Sequence, residues 1–376
     1  MPVEKINIEK FIELSEQHFL IDVRSPAEYN HAHIPGAYNL PLFTDEERKI
    51  VGTAYKQQSR EAAIKIGLDF FGPKMRKIVE EVERIIDNRQ QTIGSEKNSM
   101  NDTNHLPVAN CLLLYCWRGG MRSAGVAWLL DLYGFRVCTL AGGYKKFRNY
   151  VLDTCKLPFQ FNILGGYTGS GKTEMLKALQ RQGEAVVDLE EIAGHKGSAF
   201  GNIGIEKQPS QEMFENLLVM QIRRAGRNNQ MSEFVISHQL SVIWLEDESQ
   251  RIGDLNIPTE LWKTMRNSPV YFLDISFEER LNHIVAQYGT LSKEGLIHAI
   301  IRIQRRLGGL ETKNAVSFLL DDNTKECFRI LLKYYDKWYL KSLHNRENVN
   351  SLLINVPCEG VGLHNTRVLR QQALIS

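Results

Sequence analysis

The chain has 376 residues, of which 43% are hydrophobic and 24% charged, a composition typical of an ordinary globular protein. At roughly 100–200 residues per domain, this length predicts about two domains. No stretch approaches the ~20 apolar residues of a membrane span, and the polar N-terminus has no apolar signal-peptide core. We therefore expect a cytoplasmic protein with no membrane association.

Charge and cysteine content narrow the function classes further. The formal net charge of +2 is too small to indicate a nucleic-acid partner, so any such binding requires a local basic face. The six cysteines show neither CxxC pairing nor the spacing of metal ligands. Without a secretory signal they are predicted to be reduced thiols.

The first part of the chain alternates predicted helices and strands. An acidic helix is expected to open it, followed by a strand at 19–23 and one or two helices within 46–90. Residues 91–106 are rich in Asn, Ser, Gln and Thr and are predicted to form a mobile surface insertion. Strands are expected at 112–115 and 137–140 around a further helix. Such alternation indicates a parallel sheet covered on both faces.

The most informative segment, residues 116–123, reads Cys-Trp-Arg-Gly-Gly-Met-Arg-Ser. Gly119 and Gly120 let backbone N–H groups turn inward as an anion-binding nest, and Arg118 and Arg122 add positive charge. The positive electrostatic field of these groups, together with the N-terminus of the helix that is predicted to follow, would stabilise the thiolate of Cys116. This predicts that Cys116 is a nucleophile. A buried structural cysteine is the alternative, but an apolar pocket would not tolerate two arginines.

Two segments upstream resemble the first half of a rhodanese module, a class that carries sulfur as a cysteine persulfide. They are residues 22–24, Asp-Val-Arg, and residues 33–37, His-Ile-Pro-Gly-Ala. The Cys-x5-Arg spacing also occurs in cysteine phosphatases, which usually carry His where this chain has Tyr115. The cysteine loop is one residue wider than in many small sulfurtransferases, which should admit a larger tetrahedral oxyanion.

A second series of elements begins after Pro158. Strands are predicted at 161–164, 185–190, 234–236, 241–245 and 270–275. Amphipathic helices are predicted at 211–227, 277–288, 293–307 and 324–343. Residues 351–357 resemble a last strand, and the tail beyond them carries no clear signal.

Residues 166–173, Gly-Tyr-Thr-Gly-Ser-Gly-Lys-Thr, fit the phosphate-loop pattern G-x-x-x-x-G-K-[ST] between a predicted strand and a predicted helix. Backbone N–H groups around Gly166, Gly169 and Gly171 would cradle a diphosphate or triphosphate. Lys172 would neutralise its outer phosphates, and the Thr173 hydroxyl would reach a Mg²⁺ ion. A glycine-rich turn with an exposed lysine is the alternative, against which the flanking elements argue.

These motifs set the expected architecture. The fold class is α/β, with a rhodanese-like parallel-sheet domain over residues 1–152. A P-loop NTPase-like α/β domain with a helical C-terminal part is expected over residues 153–376.

Acidic residues follow two of the strands in the second half. Ligands gather at the carboxyl ends of strands in open α/β sheets. Asp188 and Glu190 after one strand, and Glu246, Asp247 and Glu248 after another, are therefore candidates for water-mediated metal contacts or for a general base. Helix capping and solvated charge are the alternative for each residue.

Two sets of basic residues are candidates for contact with a nucleic-acid phosphate backbone. One is Arg223, Arg224 and Arg227, and the other is Arg302, Arg305 and Arg306. Helical spacing puts most of each set on one side, where a solvated basic face is the alternative. The aromatic residues at 334, 335, 338 and 339 are expected in the core rather than stacked on bases.

The pairing of a rhodanese-like module with a phosphate loop resembles the bacterial tRNA 2-selenouridine synthases, from about residue 19 to residue 339. The matching segments are 22–26, 52–57, 116–123, 165–173, 195–201, 244–249 and 252–253. The departures are Lys196, where the family tends to have Arg, and the insertion at 91–106. Neither touches the cysteine or the phosphate loop.

That resemblance implies a two-step activity on wobble 2-thiouridine of tRNA. Geranyl diphosphate alkylates the sulfur, and selenium from selenophosphate then displaces the geranyl thiol. Cys116 would be catalytic, and Arg118, Gly119, Gly120 and Arg122 would hold selenophosphate or a perselenide-like species. The diphosphate would lie at Gly166, Gly169, Gly171, Lys172 and Thr173. The implied partners are tRNA and the enzyme that supplies selenophosphate.

Two other functions stay open on the sequence alone. One is a thiosulfate:thiol sulfurtransferase with a regulatory nucleotide-binding module. The other is a small-molecule kinase with a degenerate rhodanese partner, against which the intact cysteine loop counts. Retention of tRNA and a requirement for selenophosphate would distinguish the selenium transferase from the sulfurtransferase.

Overall fold

The computed structural model describes residues 3–96, 111–195, 207–227, 242–289 and 291–375. Within these ranges the side chains of residues 89–96, 227 and 375 are left out of the description. The chain divides into two compact units, Met1–Asp153 and Thr154–Ser376.

The first unit is built around five parallel strands. In chain order its elements are β1 (Glu4–Ile6), α1 (Ile8–Leu14), β2 (Phe19–Asp22), α2 (Pro26–His31), β3 (Tyr38–Asn39), α3 (Asp45–Gln57), α4 (Arg60–Phe71), a 3-10 turn (Gly72–Lys74), α5 (Met75–Glu96), β4 (Cys111–Tyr115), α6 (Met121–Tyr133), β5 (Arg136–Leu140) and α7 (Gly143–Thr154). The strand order is β1-β5-β4-β2-β3.

The sheet of this unit is covered on both faces. Its central strand β4 is buried at every position, which explains the continuous apolar run before Cys116. All four strand pairs are parallel. The structure therefore confirms the predicted α/β fold with a parallel sheet.

Three predictions for this unit were wrong. A short strand, β1, precedes the first helix, and three residues at a sheet edge leave too little alternation to recognise. The region 46–90 holds three α-helices rather than one or two. The last of them, α5, continues to Glu96 through the strong helix formers Arg89, Gln90 and Gln91. Residues 91–96 are thus helical, and the rest of the predicted insertion lies outside the described residues.

The second unit contains a four-stranded parallel sheet and a helical part. Its elements are β6 (Phe161–Gly166), α8 (Lys172–Arg181), α9 (Leu189–Ala193), α10 (Gln211–Arg227), β7 (Ile243–Glu246), β8 (Arg251–Ile252), β9 (Leu255–Asn256), α11 (Thr259–Arg266), β10 (Val270–Asp274), α12 (Phe277–Tyr288), α13 (Lys293–Arg302), α14 (Gln304–Leu307), α15 (Gly309–Leu320), α16 (Thr324–His344), α17 (Val349–Leu352), β11 (Leu353–Pro357) and α18 (Asn365–Ile375). The order of the large sheet is β11-β10-β6-β7.

The helical C-terminal part was predicted and is confirmed. Helices α12, α13, α15 and α16 pack around a separate apolar cluster that includes Leu281, Leu296, Ala315 and Phe328. Among the helices of the described ranges, none has both the length and the apolar character needed to cross a bilayer.

Some element boundaries in this unit differ from the predictions. The predicted strand 185–190 is reduced to one bridge between Val186 and Trp244, because Asp188 caps α9 and turns the chain into a helix. The predicted helix 293–307 breaks at Ile303, and the tail forms the unpredicted α18. The predicted strand 234–236 lies outside the described residues.

Candidate functional sites: a cysteine loop and a phosphate loop

The sulfur of Cys116 lies in the loop between β4 and α6. Its Sγ accepts a hydrogen bond from the backbone N–H of Gly120 at 3.3 Å and lies 3.2 Å from the hydroxyl oxygen of Ser123. Cys116 is buried, and Gly120 is the first residue before α6. A negative charge on this sulfur would thus meet a backbone donor, a hydroxyl and the positive end of a helix.

The cysteine loop is held against the turn that follows β5. Tyr144 donates its backbone N–H to the carbonyl of Cys116 at 2.8 Å, and Lys145 does the same to Trp117 at 3.0 Å. Gly119 has a left-handed φ of 61°, and a Cβ there would collide with the carbonyl of Leu140. Glycine at 119 is therefore required by the close approach of two backbone segments as well as by its dihedral angle.

The two loop arginines have different surroundings. Arg122 is half-buried, and its Nη1 lies 2.7 Å from a carboxylate oxygen of Glu28, which also pairs with Arg48 at 3.0 Å. Burial raises the pKa of Glu28, but the hydrogen bond and charge of Arg122, followed by Arg48, outweigh it and lower the pKa to about 2. Arg118 is exposed at the loop surface.

Glu28 and Arg48 were not among the predicted site residues. The only available signal was the pattern Ser-Pro-Ala-Glu at 25–28, which forms a capping box at the start of α2. The tertiary fold then brings this carboxylate to Arg122, 94 residues further along the chain.

A buried ion pair also holds the cysteine loop in place, through its contact with Tyr144. Arg24 and Asp22 are at most 1% exposed and are joined by an Nη2–Oδ2 hydrogen bond of 2.6 Å. The Arg24 guanidinium lies 3.9 Å from the centre of the Tyr144 ring, and Tyr144 carries the N–H that binds the Cys116 carbonyl. The Asp-Val-Arg segment thus positions the cysteine loop without contacting the sulfur.

The phosphate loop lies between β6 and α8. Gly166, Gly169 and Gly171 have φ values of 147°, 82° and 74°, which side chains other than glycine rarely adopt. Lys172 donates from Nζ to the Gly166 carbonyl at 3.0 Å, so its ammonium group lies over the loop. The buried hydroxyl of Ser170 has no hydrogen-bond partner among the described residues. A hydroxyl with unused hydrogen-bonding capacity inside such a loop fits a phosphate oxygen.

Acidic side chains surround the end of this loop. Thr173 donates its hydroxyl to Glu246 at 2.9 Å. Carboxylate oxygens of Glu190, Glu246 and Glu248 lie within 4.8 Å of one another. Burial, followed by the charge of Glu190, raises the pKa of Glu246 to about 8. Such a cluster favours bound protons or a cation, because three adjacent carboxylates repel one another when ionised.

Two of the predicted metal or base candidates have other partners. Asp188 accepts a hydrogen bond from the Glu191 backbone at 2.9 Å as the cap of α9. Asp247 pairs with Arg346 and accepts the hydroxyl of Tyr339 at 2.8 Å. The same Tyr339 oxygen accepts the Gly166 N–H at 3.1 Å, so Asp247 supports the start of the phosphate loop. Glu248, a candidate from the same acidic segment as Glu246, lies in the cluster with Glu246 and Glu190.

The basic residues are distributed differently from the prediction. Arg223 is buried and its neighbour Arg224 is exposed, so the set on α10 does not share one exposed face. The side chain of Arg227 lies outside the described residues. Arg302, Arg305 and Arg306 are all exposed, but they lie on two helices, because Ile303 bonds back to the Ile300 carbonyl at 3.2 Å and ends α13.

These features define a class of protein. A parallel α/β unit with a cysteine loop at a helix N-terminus precedes a second parallel α/β unit with a phosphate loop. This is a rhodanese-type unit joined to a P-loop unit in one chain. The rhodanese-like domain family matches residues 7–150, and the family described as the tRNA 2-selenouridine synthase AAA domain matches residues 159–353.

Curated relatives match across both units. The tRNA 2-selenouridine synthase of Pseudomonas putida (strain W619) is 33% identical, over 77% of this chain and 76% of its own length. That of Pseudomonas syringae pv. syringae (strain B728a) is 33% identical over 85% and 87%. That of Bdellovibrio bacteriovorus (strain ATCC 15356 / DSM 50701 / NCIMB 9529 / HD100) is 31% identical over 92% and 94%. The chain belongs to the tRNA 2-selenouridine synthase family, as the sequence resemblance predicted.

Proposed function

We propose that this chain is a cytoplasmic transferase that replaces sulfur by selenium in wobble 2-thiouridine of tRNA. The observation that carries the proposal is the presence, in one member of this family, of a complete cysteine loop and a complete phosphate loop. A thiol that accepts a backbone N–H at a helix N-terminus suits chalcogen chemistry, and a phosphate loop suits a diphosphate substrate. A protein that carried out only one of these two kinds of chemistry would need only one of the two loops.

The first step is assigned to the phosphate loop. The thiouridine sulfur attacks the first carbon of geranyl diphosphate, a carbon–sulfur bond forms, and diphosphate leaves with the electron pair of the broken carbon–oxygen bond. The backbone of the loop and Lys172 stabilise the charge that develops on the leaving group.

A cation fits beside this loop because of its acidic surroundings. Thr173 and Glu246 would hold a Mg²⁺ ion, with Glu190 and Glu248 next to them. The ion would offset the repulsion between these carboxylates and the diphosphate. Lys172 supplies positive charge beside this cluster, since its charge lowers the pKa of Glu246 against burial and the charge of Glu190.

The second step is assigned to the cysteine loop, with Cys116 as the catalytic thiolate. The Cys116 thiolate forms a bond to carbon 2 of the base and the geranyl thiol leaves. The selenium of selenophosphate then forms a bond to the same carbon, and the Cys116 thiolate leaves. Water cleaves the phosphorus–selenium bond of selenophosphate and yields phosphate, so no net oxidation occurs. The loop N–H groups, Arg118 and Arg122 would hold the selenophosphate, which a separate enzyme supplies.

Mass spectrometry of tRNA nucleosides tests the proposal. A strain that lacks its own synthase should gain S-geranyl-2-thiouridine and 2-selenouridine when this chain is expressed with a selenium source. Purified protein should form both products from thiolated tRNA only when geranyl diphosphate and selenophosphate are added in turn. Thiosulfate:thiol transfer without any tRNA product would instead favour a sulfurtransferase with a regulatory nucleotide module.

A further inference from the structure

One side of α16 combines basic and aromatic side chains. We call it the basic–aromatic face, and its members are Lys333, Tyr334, Lys337, Trp338 and Lys341. At about 100° per residue, these side chains span roughly 140° of the helix circumference. The three lysines are exposed and Tyr334 is half-buried. The opposite side of the helix packs into the apolar cluster of the helical part.

Trp338 distinguishes this face from an ordinary solvated basic surface. The sequence predicted the aromatic residues at 334, 335, 338 and 339 in the core, and Tyr335 and Tyr339 do pack against the apolar clusters. Trp338 instead remains 41% exposed. A single exposed aromatic residue is common on protein surfaces, so its charged neighbours decide how it is interpreted.

Cations lie on both sides of the aromatic pair. The Nζ of Lys341 lies 5.2 Å from the centre of the Trp338 ring. The Tyr334 ring lies edge-on to the same indole, with 6.4 Å between the ring centres. Burial raises the pKa of Tyr334 and the charge of Arg306 acts against it, so this guanidinium of α14 lies next to the tyrosine. The basic surface therefore continues from α16 onto α14.

The positive charge of the face is poorly compensated along the helix. Asp336 is the one acidic residue between Lys333 and Lys341, and it is bound to Arg280 at 2.8 Å with only 17% of its side chain exposed. The three lysines follow one another at intervals of four residues, and like charges at that spacing destabilise a helix. A bound polyanion would remove this repulsion.

We propose that the basic–aromatic face binds an unpaired stretch of RNA, with the lysines along its phosphates and a base stacked on Trp338. The inference rests on the proposed function, which makes RNA the substrate, and adds the surface that holds it. Lysines attract phosphates of any sequence, whereas an indole stacks on a base that is not enclosed in a duplex. The Lys341 chain is flexible, so its ammonium group can move from the ring to a phosphate when a base arrives. The face therefore selects a loop over a duplex.

Fluorescence anisotropy with two labelled RNAs tests the stacking. One is a hairpin with the sequence of a tRNA anticodon stem-loop, and the other is a continuous duplex of the same stem. Trp338→Ala in the full chain should lower the affinity for the hairpin about tenfold and leave that for the duplex unchanged, because only the hairpin offers an unstacked base. Trp338→Phe, which keeps an aromatic ring, should recover most of the loss. Trp128→Ala is the control, since Trp128 is 53% exposed on α6 of the other unit.

A lysine variant tests the phosphate contacts. Replacing Lys333, Lys337 and Lys341 together by Ala should weaken the binding of both RNAs at least about tenfold. The log–log slope of affinity against salt should become shallower by about 2, because each lost phosphate contact releases fewer counterions. The charge-matched control replaces three exposed lysines of α3 and α4 by Ala, namely Lys49, Lys56 and Lys65.

The outcomes separate this inference from the proposed function. Wild-type hairpin affinity in the Trp338→Ala variant, or equal losses in the control variants, would overturn the assignment even if the unmodified chain selenates tRNA. Loss of binding to anionic phospholipid vesicles in the lysine variant, with RNA affinity intact, would assign the face to a membrane and overturn it as well. Specific hairpin binding at this face by a chain that forms no modified nucleoside would support the inference and overturn the proposed function.

Discussion

The cysteine loop and the phosphate loop both place backbone N–H groups and positive charge where an anion can bind, but they use different residues to do so. Each joins a parallel strand to a helix, and each uses glycines so that backbone N–H groups face an anion. In the first loop the cation Arg122 is already paired with Glu28, which keeps it fixed. In the second loop Lys172 is bonded to a neutral carbonyl, and three carboxylates lie close together beside Thr173.

This difference indicates what each loop needs from its ligand. In the cysteine loop Glu28 holds Arg122 in place, so this arginine stays fixed with or without a bound anion. The phosphate loop adjoins three carboxylates within 4.8 Å of one another, so its anion must arrive with a cation or rely on Lys172. Removing single groups should therefore have unequal effects at the two loops.

The largest effect is expected at the sulfur. Cys116→Ala should reduce 2-selenouridine formation by at least about a thousandfold, because it removes the thiolate nucleophile. Geranylated tRNA should still form, since that step belongs to the other loop. Nucleoside mass spectrometry reports both products, and Cys138→Ala in the adjacent strand is the control. Near-normal 2-selenouridine from the Cys116 variant would contradict the assignment.

The second-largest effect is expected when the phosphate loop is altered. Lys172→Ala removes a charge-assisted contact of roughly 1.5–3 kcal/mol, which corresponds to a loss of about 10- to 100-fold in geranylation rate. Lys177→Ala changes an exposed lysine on the same helix and should leave the rate unchanged. Assays with geranyl diphosphate and thiolated tRNA measure it. A Lys172 variant that geranylates normally but loses an ATP-dependent activity would show that the loop is a nucleotide site.

The ion pair between Glu28 and Arg122 should contribute to the stability of the unit that holds the cysteine loop. Its pKa is about 2 in the folded chain against an ordinary value of 4.5, so its stabilisation is complete above pH 4.5 and is lost as the pH falls towards 2. Glu28→Gln should lower the free energy of unfolding by about 2 kcal/mol at pH 7, and the difference should shrink across that acidic window. Denaturant melts at several pH values measure it. Glu80→Gln, in an exposed pair, should change little. A pH-independent difference would rule out the ion pair as its cause.

The smallest effect is expected at the basic residues proposed to contact tRNA. Combined reversal of Arg302, Arg305 and Arg306 to Glu should weaken tRNA binding about tenfold and make its salt dependence shallower by about 2 to 3 in log–log slope. Turnover of a free geranyl diphosphate analogue should not change. The charge-matched control reverses the exposed cations Arg76, Lys77 and Arg84. Full tRNA retention by the first variant would move the contact to another surface.

Patterns of neighbouring residues in the sequence were sufficient to predict the two loops and most of the helices and strands. Helices α10 and α12 end where their amphipathic patterns end, and Ser276 caps α12 as a short polar residue should. The apolar run of β4 followed by Cys-x-x-Gly-Gly predicted a strand and a loop at its carboxyl end, and the structure shows that this strand is the buried central one. These features depend on neighbouring residues only.

The partners of the loop residues were decided by the tertiary fold. Glu28 reaches Arg122 across 94 positions, and Tyr339 reaches Gly166 across 173. Asp188 and Asp247 carried the same local signal as Glu246, but only the packed structure caps a helix with the first and pairs the second with Arg346. Thr168 of the phosphate loop and side chains of α12 and α16 line one small cavity. A pattern along the chain records which residues can bind an anion, whereas charge pairing and cavity shape arise only when distant segments are packed together.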